Sequence, residues 1–283
     1  VRGGLRLAAR DRDLRRCDPD VVHDLRVATR RLRAVLRLYR DLLRQRDRRR
    51  LRDPLRRLGR LLGAPRQAAV SRELLMALGP ELPPDLGPAA ARCLGALEVR
   101  CERLCVLVRG RADARGLRRL RRRIFDVAGP LLLAGPAPAA GAPDPDLVAW
   151  VAPRLRAEVA AWRAARPQGA APLEVWHRFR VQSKRLRYAL EAGAPADAGG
   201  FGPALAALRG LQEALGRQHD HLALAADLDE VVRALARLGR PPDPALLTGA
   251  RRLSALVLDR ARAIDPLPAT RTAAEVLDAT GLG

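Results

Sequence analysis

Residues 23–36 read HDLRVATRRLRAVL, and residues 177–190 read HRFRVQSKRLRYAL. Both fit the pattern H-x-x-R-V-x-[ST]-[RK]-R-L-R-x-x-L, and they stand 154 positions apart. Chance does not produce this many matched positions in so short a segment. A second pair of segments keeps the order and nearly the spacing. Leu62-Gly63-Ala64-Pro65-Arg66-Gln67 pairs with Leu215-Gly216-Arg217-Gln218-His219-Asp220 at an offset of 153. The duplication therefore covers a whole half of the chain, and internal repeats of this kind set the architecture. Leu, Ala and Arg dominate, all good helix formers, and little of the chain shows strand-like alternation. The expected fold class is all-α, with two helical bundles packed about a pseudo-two-fold axis.

A helix advances about 100° per residue, which sorts the repeat into faces. His23, Arg26, Arg30, Arg33 and Arg37 fall in one narrow stripe. Leu25, Ala28, Leu32, Val35, Leu36 and Tyr39 form the neighbouring apolar arc, the expected core face. In the second copy His177, Arg180, Lys184 and Arg187 make the stripe, beside Phe179, Leu186 and Leu190. Like charges one turn apart cost a helix a few tenths of a kcal/mol per pair, roughly, unless an anion offsets them. Cations spaced at roughly 5 Å suit a polymer of closely spaced negative charges. A cleft between the halves would be lined by both stripes. Near such a polymer the charged forms of His23 and His177 would be favoured, making them extra donors.

Composition points the same way. The chain has 283 residues, 53 Lys plus Arg against 31 Asp plus Glu, and a formal net charge of +22. That excess of base calls for a polyanionic partner. Lys184 is the single lysine. Arginine's planar fork grips phosphate oxygens in pairs. GC-rich codon usage explains arginine in place of lysine equally well, though not the excess of base over acid. Only eight aromatic residues are present, so the core must rest on Leu, Ala and Val. Cys17, Cys93, Cys101 and Cys105 form no paired CxxC and have no histidine nearby in sequence. Buried free thiols in a reducing cytoplasm are expected. No secretory signal and no run of 18 apolar residues is visible, so no membrane association is expected. The start at Val1 rather than Met fits a segment of a longer protein.

Along the chain, a short amphipathic helix is predicted for residues 1–16, then a long one for 20–46 after Asp18-Pro19-Asp20. Further helices are predicted at 48–63, from 64 to before Gly79-Pro80, 89–113 and 117–133, with a Pro-rich loop at 79–88. Residues 135–146 lie in a Pro/Gly/Ala linker (AGPAPAAGAPDPD spans 134–146) joining an N-terminal half, 1–134, to a C-terminal half, 147–283. Helices at 147–166, 173–192, 203–216, 218–238 and 244–264 follow, with a short one in the tail.

Arg56 and Arg60 point toward one side of the third helix and extend the expected cleft. Arg66 and His219 occupy matching places at predicted helix starts, which favour anions. The runs Arg48–Arg50 and Arg118–Arg123 cover all faces of their helices and read as solvated surface. His219-Asp220-His221 suggests a metal-dependent phosphohydrolase, but with four histidines in all the set such chemistry needs is incomplete. No P-loop, GxSxG or zincin motif occurs. No catalytic residue, metal or cofactor is assigned. Sequence-nonspecific nucleic-acid binding is the stronger alternative, although few aromatics are available for base stacking and no helix-turn-helix is evident.

The paired HxxRVxxxRLR segments, each followed by an LG turn with a basic residue, resemble the conserved histidine α-helical domain, CHAD, over essentially the whole chain. The resemblance implies two four-helix bundles related by pseudo-symmetry around a basic central cavity. It implies binding of inorganic polyphosphate, with phosphate or sulfate ions as mimics, and a cytoplasmic location at polyphosphate granules. Family members stand alone or follow a triphosphate-tunnel domain, and no such domain is visible in this sequence. By motif position the implied cavity residues are His23, Arg26, Arg30, Arg31 and Arg33, with His177, Arg180, Lys184, Arg185 and Arg187. Arg31 and Arg185 lie off the stripe. The family's usual Asp after the turn's basic residue is Gln67 in the first half and Asp220 in the second.

Overall fold

The computed structural model describes residues 17–111, 114–133, 145–194, 201–237 and 243–282. These residues form ten α-helices: α1 Pro19–Leu38, α2 Gln45–Leu61, α3 Gly63–Leu78, α4 Gly87–Arg111, α5 Ala114–Leu133, α6 Pro145–Ala164, α7 Leu173–Gly193, α8 Gly202–Arg237, α9 Pro244–Ala263 and α10 Leu267–Asp278. Among the described residues there is no strand, so the fold is all-α. The helix predicted for residues 1–16 and most of the predicted linker lie outside the described residues.

Where elements begin follows local chemistry. The Asp18 carboxylate accepts from the backbone N–H of Asp20 at 2.9 Å and of Val21 at 3.3 Å, and Pro19 opens α1 without an orphan donor. Asp243 and Pro244 repeat this device at α9. Where α1 ends is a tertiary matter, and the single helix predicted for 20–46 is not formed. The Tyr39 ring stacks on Trp150 of α6 at 5.4 Å, and its hydroxyl donates to the Ala192 carbonyl at 3.1 Å. Arg154 covers the Trp150 ring at 3.6 Å and pairs with Asp41 at 2.8 Å. These contacts pin the turn at 39–41, a 3₁₀ segment (Arg40–Leu42) follows, and α2 restarts at Gln45.

The opposite correction applies in the second half. Two helices were expected around Gly216, but α8 runs unbroken through 36 residues. In the first half α2 and α3 part at Leu62, three residues before Pro65. Proline lacks the N–H that an uninterrupted helix would donate at this turn and crowds the carbonyl four residues back. The matching residue is Gln218, which is buried and donates to the Ile264 carbonyl at 3.2 Å.

Among the described residues apolar contacts sort into three clusters. One joins α6, α7, the first half of α8 and α10 around Trp162 and Phe179, whose rings lie 5.2 Å apart. A second joins α1, α2, α5 and the end of α4 through Leu25, Leu55, Leu62 and Val108. The third draws on both halves: α3 and α4 meet the second half of α8 and α9 through Leu75, Leu97, Leu228 and Leu253. A polar strut crosses it, where buried Ser71 donates to Asp227 at 2.7 Å and Arg100 pairs with the same carboxylate at 3.0 Å. The second cluster also corrects the cysteine reading. Cys17, before α1, and Cys105, on α4, form a disulfide across 88 residues, while Cys93 and Cys101 are free. Their spacing hid the pairing because only the packing of α1 on the end of α4 brings the sulfurs together.

Candidate anion-binding cleft

Helix α1 lies along α7, with α2 and α3 on its flanks. This crowding modifies the arc drawn from periodicity. Leu25 is buried and Ala28, Leu32 and Leu36 are half-buried, but Val35 is 40% exposed, while Thr29 and Ala34 are buried. A helix with neighbours on several sides does not bury a single stripe. Three members of the cationic stripe, Arg26, Arg30 and Arg33, by contrast meet at one cavity, without Arg37 or the exposed His23. Arg26, Arg30, Arg33 and Arg37 are all half-buried. Arg26, Arg30, Arg33, Arg56 and Arg60 line a cavity of about 320 Å³ with Thr29 and Gly59, and none of the lining residues is acidic.

Across the helix pair, matched positions of the two copies fall within electrostatic range. Arg26 feels Arg180, and Lys184 feels both Arg30 and Arg26. Burial first, then Arg30 and Arg66, pushes the Arg26 guanidinium down to about 10, still charged at neutral pH. Arg26 also donates to the Leu62 carbonyl at 3.0 Å, at the α2–α3 break, which fixes its stem. Burial lowers Arg33, helped by Arg56, Arg30 and Arg60, and lowers Arg37, helped by Arg185. Arg180 is lowered by burial and by Arg30, against the pull of Asp220. Burial, then Arg180 and Arg30, brings Lys184 down to about 7, with Asp220 opposing.

His177 and His219 meet with their Nδ1 atoms 3.4 Å apart. Burial, Arg180 and His177 push His219 down to about 3, so the protein alone holds it neutral. Asp220 is raised by burial in spite of Arg180, Lys184 and Arg66 around it. Among the described residues, no carboxylate lies within 4 Å of Arg26, Arg30, Arg33, Arg37, Arg56, Arg60, Arg180 or Lys184. Half-buried cations without partners are costly, and the Arg180 Nε is buried with no acceptor.

The other expected site residues are placed differently. Arg31 pairs with Glu191 at 3.1 Å, tying α1 to α7, and Arg185 pairs with Glu158 of α6 at 2.7 Å. Arg187 pairs with the same Glu191 at 2.9 Å and covers the Tyr188 ring at 4.5 Å. Arg66 lies 3.7 Å from Glu73 while remaining near Arg26. His23 is exposed at the first turns of α1. His221 faces the Arg217 carbonyl of its own helix at 2.8 Å. Among the described residues no three His, Cys, Asp or Glu side chains converge as metal ligands do.

Two features escaped the helical wheel. Among the described residues Asp220 is the carboxylate inside the cationic cluster, and it stands where the first half has Gln67. The paired hydroxyls of the motif, Thr29 and Ser183, are both buried. Ser183 accepts from the Trp162 indole at 2.9 Å and donates to the Phe179 carbonyl at 2.9 Å, a core role. The Thr29 hydroxyl has no partner among the described residues and lines the arginine cavity. The [ST] position of the repeat was the signal for both.

Comparison with known proteins adds the family. No curated protein matches the sequence. PptA from Streptomyces chartreusis has a similar fold, with a TM-score of 0.58, 22% sequence identity, and coverage of 96% of this chain and 95% of that chain. The family model of the CHAD domain matches residues 5–229, taking in both copies of the repeat and the helices between them. A duplicated helical unit that brings its two basic rows together and matches that model over most of its length makes this chain a member of the CHAD domain family.

Proposed function

We propose that the chain binds inorganic polyphosphate in the cleft between α1 and α7, without catalysis, and so attaches to polyphosphate granules. The observation that carries this reading is the cluster of Arg26, Arg30, Arg33, Arg180 and Lys184, half-buried, mutually repelling and with no carboxylate within 4 Å among the described residues. A thin chain with a charge on every phosphate answers each cation with a charge-assisted hydrogen bond. Duplex DNA is too wide to enter the adjoining cavity of about 320 Å³ that Arg26, Arg30 and Arg33 of α1 line with α2. The family membership supports the same ligand.

The test is titration with long-chain polyphosphate at near-physiological salt, beside duplex DNA and heparin, for the wild type and Arg30→Ala/Lys184→Ala. Tight polyphosphate binding, lost by at least tenfold in the double variant with DNA binding weak, is the expected result. Equal binding of all three polymers, unaffected by the substitutions, would make the chain a general polycation and restore the nucleic-acid reading.

A further inference from the structure

The arginine-rich helices α2 and α5 carry a second feature that the cleft does not absorb. Between them and the end of α4 lies a cavity of about 840 Å³. Leu58 and Leu120, both buried, lie at its base, and Arg57, Arg60, Arg111, Arg119 and Arg123 line it. Arg60 also lines the central arginine cavity, on the α1 side of α2. Arg123 in turn lines a third cavity of about 420 Å³ with Arg44, Arg46 and Arg50. Each neighbouring pair of hollows thus shares a lining arginine, Arg60 or Arg123. From Arg60 to Arg46 the track follows α2 for about 21 Å, at 1.5 Å per residue. Among the described residues none of Arg57, Arg60, Arg111, Arg119 and Arg123 has a carboxylate within 4 Å. The acids along the route are Asp47, 3.8 Å from Arg46 and 4.0 Å from Arg50, and Asp126.

We propose that a polyphosphate chain seated in the central cleft leaves it over Arg60 and continues along the groove between α2 and α5. This rests on the polyphosphate reading above. Arg50, Arg119 and Arg123, from runs that read in sequence as solvated charge on all helix faces, belong on this account to two walls of one channel. Arginines facing α1 serve the cleft, and those facing α5 serve the extension. Arg60, shared by the two cavities, and the excess of cations without a carboxylate within 4 Å among the described residues select a long, flexible phosphate polymer over a small phosphate ligand, which the cleft alone would satisfy.

The experiment compares tripolyphosphate with long-chain polyphosphate on the wild type, on Arg57→Ala/Arg119→Ala/Arg123→Ala, and on a charge-matched control, Arg233→Ala/Arg237→Ala/Arg251→Ala, altered at exposed positions of α8 and α9. The groove variant should lose long-chain affinity about tenfold or more and show a salt slope shallower by about 2, for three phosphate contacts at about 0.7 each. Tripolyphosphate binding, and the control with either ligand, should hold. Since the substituted side chains are exposed or half-exposed, an unchanged thermal midpoint certifies the fold. Equal losses for short and long chains, or equal losses in the control, would overturn the extension, leaving only net charge. So would an unchanged groove variant alongside a defective Arg30→Ala/Lys184→Ala, with the central site standing. A wild type that binds neither polymer removes the polyphosphate reading itself.

Discussion

Lys184 is the one lysine in a chain that uses arginine everywhere else, and it sits at the centre of the cationic cluster. The difference is chemical. A guanidinium stays charged when half-buried, whereas a compact ammonium gives up its proton. Burial, Arg180 and Arg30 bring Lys184 down to about 7 against the single opposing charge of Asp220. A bound phosphate favours the charged form, so binding draws a proton onto Lys184 whenever the pH exceeds about 7. The Lys184 contribution to polyphosphate affinity should therefore be level below pH 7 and be lost above it, by up to about tenfold per unit. Titration calorimetry at pH 8 in buffers of different ionisation enthalpy should detect the proton uptake. Lys184→Arg should flatten the profile, and an equally steep profile in that variant would assign the effect elsewhere.

Helix contacts place their own demands. A Cβ built on Gly249 of α9 would stand 2.9 Å from the Ala89 Cβ on α4. Neither methyl has a rotamer to move, so the two helices must part. Gly249→Ala should destabilise by about 1–3 kcal/mol in spite of alanine's better helix propensity. Gly210, exposed on α8, has nothing within 4 Å of its built Cβ. Gly210→Ala should stabilise by about 0.5–1 kcal/mol. Thermal melts of the two single variants, read in opposite directions from wild type, check both. A fall for Gly210→Ala would show that α8 is not continuous at that point. The α6–α7 core answers to the same method: Trp162 of α6, fully buried against Phe179 and bonded to Ser183 of α7, should cost about 3–5 kcal/mol when replaced by Ala.

For the whole molecule, a net charge of +22 is tolerated in a fold whose apolar clusters are held by leucine and alanine. Much of the base is spent in ion pairs that join elements, such as Arg31 with Glu191 and Arg163 of α6 with Asp278 at the end of α10. Among the arginines left over, one group lines the cavities on either side of α2, while others, such as Arg233 and Arg251, are exposed elsewhere. Binding should therefore weaken linearly with the logarithm of salt, and Arg30→Ala should reduce the slope by about 0.7, the loss of one released counterion. A salt series on both proteins measures this, and an unchanged slope would remove Arg30 from the contact set.

The internal repeat was legible from one-letter code, because two copies of HxxRVx[ST][RK]RLR leave little freedom in how their helices are drawn. All-α class, most helix starts and the α1–α7 cationic rows follow from it, since Asp-Pro caps and residue spacing act locally. The end of α1 was not legible, because Tyr39 is stopped by Trp150, 111 residues away in sequence. Nor was the unbroken α8, where the absence of a proline opposite Pro65 outweighed the Gly216 signal. Which arginines are paired and which stand unpaired depends on Glu158 and Glu191, acids that belong to the packing of α6, α7 and α1. Charge, spacing and capping are properties of neighbours along the chain. Burial, which decides the state of Lys184 and His219, is a property of the neighbours that folding brings around them.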